Sequence, residues 1–355
     1  MKSIKDYVSL EQKFYEVILN RYDVLFEDIL TSANVNDFKE IVIYATGSSL
    51  NAAYGALPFM NKCLDVPIRI EEPSIIKNYL PSVGNEVLNI AISQGGHSYS
   101  VIELVKMLQQ QGKKVFVFTS ELGSPLAKVS ENIISMGMPV EEMPYVSAGY
   151  SVLILDLMLL SLKLAIKTGK LTSDDELNSL KQIQQVVNKI PEVIKSSEIW
   201  ISKLETKLTI AKRIIFIGYG ATYGVAREGE TKITETVRIS SWGKELEEYM
   251  HGPYLGLKNE DIILFVDPNG RLKERANLLK KFLNKYVTNV VTIYANEGSS
   301  LENDLQLTVN VPEEFTALFM TIPIHLMSYR LSKLKGIDLT VSAYPDFDQI
   351  TASKI

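Results

Sequence analysis

The stretches IYATGSSLNAAYG (residues 43–55) and FIGYGATYGVARE (residues 216–228) decide how this chain is read. Each is a short β-branched apolar run that stops at small or polar residues and continues with helical periodicity. They align with Gly47 opposite Gly220 and Ser49 opposite Thr222, both at an offset of 173. Further on, VLNIAISQGGHS aligns with IILFVDPNG near an offset of 174, and VFVFTS with VTIYAN near 175. An offset that drifts so little over three elements implies an internal duplication.

Around these anchors EIVIYATG, PIRIEEP, VLNIAIS and KVFVFTS read as strands in the first half, and RIIFIGYG, DIILFVD, VVTIYAN and LTVNVP in the second. Their alternation with helical stretches implies parallel βαβ sheets. The expected fold is α/β, two tandem doubly wound parallel-sheet αβα sandwiches. The segment LTSDDELNSLKQIQQVVNKIPEVIKSS is polar and helical in period, with Pro191 read as a break. A domain cut near residue 195 follows, giving domains 1–195 and 196–355, and 355 residues suffice for two ordinary cores.

Composition narrows the partners. A formal charge of −5 provides no basic field for nucleic acid or an anionic membrane surface. The start, MKSIKDYVSLEQKFYEVILN, reads as an amphipathic helix and not as a signal peptide. The longest apolar stretch, VLILDLMLLSLKLAI, is interrupted by Asp156 and Lys163 and reads as a buried helix too short to span a bilayer. A single cysteine, Cys63, allows neither an intrachain disulfide nor a structural zinc site and reads as packing. A reducing, cytoplasmic setting is expected, with no metal and no cofactor.

Ligands of doubly wound sheets sit beyond the carboxyl ends of the strands. After IVIYA the loop offers Gly47, Ser48 and Ser49, and after VLNIAI it offers Ser93, Gln94, Gly95, Gly96 and Ser98, each just before a helix start. Two hydroxyl-rich loops beside helix N-termini suit one small anion. Neither loop carries lysine or arginine, and no nucleotide-binding glycine motif is present, so a sugar phosphate fits better than a nucleotide. His97 in the same loop reads as a capping or exposed residue, and His325 in FMTIPIHLMSYRL as a satisfied core or interface histidine.

In the second half, Glu228, Lys232 and Glu235 are spaced i, i+4 and i+7, which on a helix makes one polar stripe. Such a stripe is ordinarily a solvated face. Here it opens at a strand exit and is followed, sixteen residues after Glu235, by His251-Gly252-Pro253.

The repeat, the ATGSS and ISQGGHS loops and E-x-x-x-K-x-x-E followed by HGP together resemble the sugar isomerase (SIS) family. The likeness is to the isomerase half of glucosamine-6-phosphate synthase and to phosphosugar deglycases and deaminases, from about residue 40 onward. The resemblance implies that Ser48, Ser49, Ser93, Gln94 and Ser98 bind phosphate. It implies that Glu235 is the base moving a proton between C1 and C2, and that His251 opens the sugar ring. Lys232 and Glu228 match further active-site positions, and Lys354 is the candidate for a lysine that relatives carry on a C-terminal loop. It further implies a homodimer in which the HGP histidine crosses into the neighbouring site. The chain departs from the family pattern at Gly95, where a serine is usual, and at Ala148, where many relatives carry lysine.

These residues suit a metal-independent reaction, with an imidazole to shuttle a proton at the ring oxygen and a carboxylate over the C1–C2 edge. With no glutaminase domain before the first repeat, the expected activity is that of a deglycase or deaminase on an aminosugar or ketosamine 6-phosphate. Aldose–ketose isomerisation and non-catalytic phosphosugar sensing are the alternatives.

Overall fold

The computed structural model describes residues 1–32, 38–80, 83–296 and 301–355. It contains two five-stranded, all-parallel sheets, the arrangement expected for two αβα sandwiches. In the first, β1 (Glu40–Tyr44), β2 (Ile68–Glu71), β3 (Val87–Ile92), β4 (Val115–Thr119) and β5 (Asn132–Ser135) lie in the order 2-1-3-4-5. In the second, β6 (Arg213–Gly218), β7 (Ser240–Glu245), β8 (Ile262–Asp267), β9 (Asn289–Tyr294) and β10 (Leu305–Gln306) lie in the order 10-9-8-6-7. Counted within its own half, that is the same order read from the opposite edge. The duplication therefore extends to topology.

The central strands form because both of their faces are covered. β4 and β8 are buried at every residue, which is why they appear in the sequence as unbroken apolar runs. In the first sheet Val42 and Tyr44 pack with Ala91, Val101, Val105, Leu108, Val115 and Val117. In the second, Ile215 and Ile217 pack with Leu246, Ile263, Phe265, Ala276 and Leu279.

Four local expectations need correction. LTVNVP is not a strand: pairing is confined to Leu305–Gln306, after which Leu307 and Val309 still donate backbone N–H groups to Tyr294 and Ala295. β5 and β7, absent from the strands read in the sequence, close one edge of each sheet. Pro191 does not end a helix, because the 38-residue helix Ser173–Ile210 runs through it, although proline has no N–H to give the helix and its ring crowds the carbonyl four residues earlier. The apolar helix, finally, is Ala148–Lys167, 20 residues with a mean hydropathy of 1.8, long and apolar enough to cross a bilayer. Its most apolar stretch is 89% buried within the protein, and it serves as a core helix.

Two compact units emerge, and neither is continuous in sequence. One contains the first sheet with residues 13–141, 152–179 and 341–355; the other contains the second sheet with residues 1–12, 142–151 and 180–340. Residue 195 lies inside the long helix Ser173–Ile210.

Candidate active site

In the first-sheet unit β1 and β3 are neighbours, pairing Ile41 with Leu88 and Tyr44 with Ala91. The chain leaves β1 for one edge strand and β3 for the opposite side of the sheet, so a crevice opens between their carboxyl ends. The two serine loops occupy that position. Gly47 begins the helix Gly47–Cys63 at φ +56, with open space where a Cβ would project. Ser48, Ser49, Ser93 and Ser98 are all partly exposed.

A serine at a helix start is most often a cap, and the structure separates the two roles. Ser124 caps its short helix, accepting the Ala127 N–H at 3.2 Å. Ser98 stands at the N-cap of Tyr99–Gln110 and makes no side-chain cap bond, nor does Thr46 before Gly47. Gln94 differs from the serines. It is buried, its side-chain amide N–H faces Met138 Sδ at 3.7 Å, and its main-chain carbonyl accepts from Ser120 N–H and the Thr119 hydroxyl. Gly96 holds the loop at φ +66, and a Cβ there would lie 2.0 Å from Ser124 Oγ. Only glycine fits that turn.

Residues 353–355 return to this loop. Lys354 forms an antiparallel bridge with Ser98, Tyr99 N–H donates to Ser353 O at 3.2 Å, and Ile355 N–H donates to His97 O at 3.1 Å. His97 Nδ1 also meets Ile355 O. Lys354 is thereby placed beside Ser98 through its main chain, while its exposed Nζ lies 3.9 Å from Asp348 Oδ2. His97 holds the tail and does not cap the helix.

In the second-sheet unit, the helix Ala221–Lys232 leaves β6 and widens into a π-helical turn, Ile233–Val237, closed by Arg238 N–H to Ile233 O. A π turn winds more slowly than an α-helix, and such turns recur at functional positions. Glu228 and Lys232, on the α-helix before the turn, are buried at 0% and 1% exposure, while Glu235, within the turn, emerges to 38%. The solvated-stripe reading fails for the first two. Lys232 Nζ donates to Glu235 Oε2 at 2.7 Å and lies 3.6 Å from Glu228 Oε1.

His325, on the helix Ile322–Leu334, is wholly buried, with Nε2 3.5 Å from Glu228 Oε1. It was expected to be a satisfied core histidine; it is in the core, but neither ring nitrogen makes a hydrogen bond among the described residues. Tyr150 stands edge-on to its ring with centroids 5.9 Å apart. Burial pushes the Tyr150 phenol well above its ordinary pKa, and the charge of Glu228 adds to the shift.

His251 lies on the exposed turn after the helix Leu246–Met250, its backbone N–H bonded to Glu248 O. Gly252 follows at φ +126, then Pro253. The neighbouring Glu247 carboxyl is held below its usual range by the Arg275 guanidinium, with a smaller contribution from His251. Within this unit Glu228, Lys232 and Glu235 are thus joined in one contact row, and no hydrogen bond or ion pair among the described residues links His251 to it. Sequence reasoning missed the contact of His325 with this row, for which no spacing rule gives a signal.

Comparisons with known proteins agree with the fold. The chain is 23% identical over 332 residues to a glutamine–fructose-6-phosphate aminotransferase (isomerizing) of Caldanaerobacter subterraneus, covering 91% of this chain and 54% of that one. It is 26% identical to the enzyme of the same name from Pyrococcus horikoshii, covering 84% and 50%. It spans about half the length of these curated relatives. Among solved structures, a protein of Clostridium difficile 630 described as a candidate phosphosugar isomerase superposes with a TM-score of 0.90 at 25% identity, covering 99% and 98% of the two chains. The C-terminal domain of a Francisella tularensis glucosamine-fructose-6-phosphate aminotransferase gives 0.84 at 21%, covering 94% and 96%. The SIS domain pattern matches residues 35–165 and again 207–334, once over each sheet, and the chain belongs to the SIS domain family.

Proposed function

We propose that this protein processes a phosphorylated sugar by C1–C2 proton transfer, and that its substrate is a ketosamine or aminosugar 6-phosphate from which it releases an amine. The observation that carries this reading is the Glu235 carboxylate, partly exposed and oriented at 2.7 Å by a buried lysine. A base for carbon acids must be reachable and held in one geometry. The serine loops at the β1–β3 crevice, where neither Thr46 nor Ser98 makes a side-chain cap bond, supply a place for the phosphate.

Ser48, Ser49, Ser93 and Ser98 hold the phosphate, with Gln94 shaping the loop from below. His251, acting in the site of a second copy of the chain, transfers a proton to the ring oxygen as the ring opens. Glu235 then takes a proton from C1 and returns it to C2, turning the ketosamine into the C1 imine of an aldose. Water adds to C1, the C–N bond breaks, and the amine leaves with a proton, giving a hexose 6-phosphate. Lys232 holds Glu235 in place, Glu228 pairs with Lys232, and Lys354 stands beside Ser98 in the phosphate loop.

The test follows amine release from a panel of phosphorylated Amadori compounds. Glu235→Gln is expected to reduce kcat by about 1,000-fold or more with little change in KM, since it removes the group that acts only in the transition state. Equal turnover by both proteins removes Glu235 from the mechanism. Interconversion of hexose 6-phosphates without amine release assigns the same residues to aldose–ketose isomerisation.

A further inference from the structure

The polar groups around Glu235 continue inward. Reading from the surface, they run Glu235, Lys232, Glu228, His325, with separations of 2.7, 3.6 and 3.5 Å. Carboxylates alternate with nitrogen-bearing groups along the row. The last three members are at most 1% exposed, on the helix Ala221–Lys232 and on the helix Ile322–Leu334 that packs against it and against the π turn.

The distances show how Lys232 is divided. Its ammonium sits on Glu235 and stands nearly an ångström further from Glu228. Were Glu228 to draw the ammonium inward, Glu235 would lose its orienting contact. A second donor aimed at Glu228 counters that pull, and the His325 ring is positioned to supply one. Its surroundings favour this role over bulk packing. Burying an imidazole is costly unless its nitrogens are engaged, and neither nitrogen of His325 has a hydrogen bond among the described residues. Tyr150 stands edge-on to the ring, and the main-chain N–H of His325 donates to Thr321 O at 3.0 Å within its helix. Glu11, also buried, pairs with Ser151 Oγ at 3.3 Å in the same unit.

We propose that His325 is a positioning residue for Glu235: by presenting Nε2–H to Glu228, it leaves the Lys232 ammonium with Glu235. The role rests on reading Glu235 as the base, and the experiment separates the two claims. Fructose 6-phosphate in D2O reports proton abstraction at C1 as deuterium wash-in, independently of amine release. His325→Leu preserves apolar volume and removes the donor. It is expected to lower the kcat of wash-in about tenfold at unchanged KM, whereas His325→Gln, which keeps an N–H donor, recovers to within about threefold of wild type. A loss of thermal stability alone would not divide the variants in this way.

Unchanged wash-in by His325→Leu while Glu235→Gln is inactive overturns the proposal and leaves Glu235 as base. Equal impairment of the Leu and Gln variants also overturns it. Absence of wash-in from wild type with fructose 6-phosphate, together with no amine release from the phosphorylated Amadori panel, removes the Glu235 reading. In that case a stability cycle of His325→Leu with Glu228→Gln decides the contact: non-additive losses sustain it, and additive losses overturn it.

Discussion

Gly47 and Gly220 are the same residue of a repeated motif, and their surroundings have diverged. Both stand at the start of a helix after the first strand of their sheet, at φ +56 and φ +54. Around Gly47 the space is open. At Gly220 a Cβ would meet Glu313 Oε1 at 2.0 Å, and at Gly270, in the loop after β8, it would meet Glu313 Oε2 at 2.1 Å. Arg271 N–H donates to that carboxylate at 2.8 Å. The paired hydroxyls differ as well. Ser49 is partly exposed, whereas Thr222 is buried, accepting Tyr219 N–H at 3.1 Å and donating to Val266 O at 2.7 Å. One crevice faces outward with hydroxyls, and the other is closed by the protein's own anion. Duplication kept the backbone and changed what stands against it; under the proposed function the first sheet provides a binding loop, and the second orients a base.

The comparison breaks most readily at the open crevice. Replacing Ser49 and Ser98 together by alanine is expected to weaken hexose 6-phosphate binding about 100-fold or more, at roughly 1.5–3 kcal/mol for each charge-assisted hydrogen bond. Titration calorimetry measures it, and unchanged affinity would remove the serine loops from phosphate binding. Next in size is Gly96→Ala, where positive φ and the approach to Ser124 both oppose a side chain. A stability loss of about 2 kcal/mol is expected in urea unfolding, together with weaker phosphate-ester binding. The smallest effect is reserved for the closed crevice. Glu313→Ala should cost about 1 kcal/mol by leaving Arg271 N–H without its acceptor, with hexose 6-phosphate affinity unchanged. Millimolar inorganic phosphate should then raise the melting temperature of the variant more than that of the wild type. A fall in hexose 6-phosphate affinity would contradict the division of labour between the halves.

Much of the architecture was legible because burial leaves a trace in composition. Strands covered on both faces must be apolar throughout, so β1, β3, β4, β6, β8 and β9 stood out. The edges β5 and β7 lack that constraint, and Ser240–Glu245 includes two serines, a glycine and a lysine. Pro191 misled because a proline removes one bond from a helix without forbidding it, when a long flanking face is packed. In the candidate site, spacing identified Glu228, Lys232 and Glu235 but could not say which of them faced water. Packing of the distant helix Ile322–Leu334 against Ala221–Lys232 and the π turn buries the first two, and that contact leaves no local trace in the sequence. His325 and Glu313 act through tertiary contacts alone, and nothing in their local sequence distinguishes them from an apolar helix and a polar loop.

The bridge between Ser98 and Lys354 has a kinetic consequence. The loop that begins at Ser93 is joined by His97 to a residue 258 positions later. Contacts of such separation form late, because the intervening chain must first be ordered. During synthesis the first sheet can assemble while the second is still being made, but the backbone around Ser98 acquires its last partner only when residues 353–355 arrive. A chain caught halfway through its maturation would therefore have a folded first sheet and a Ser93–Ser98 loop still lacking its last partner.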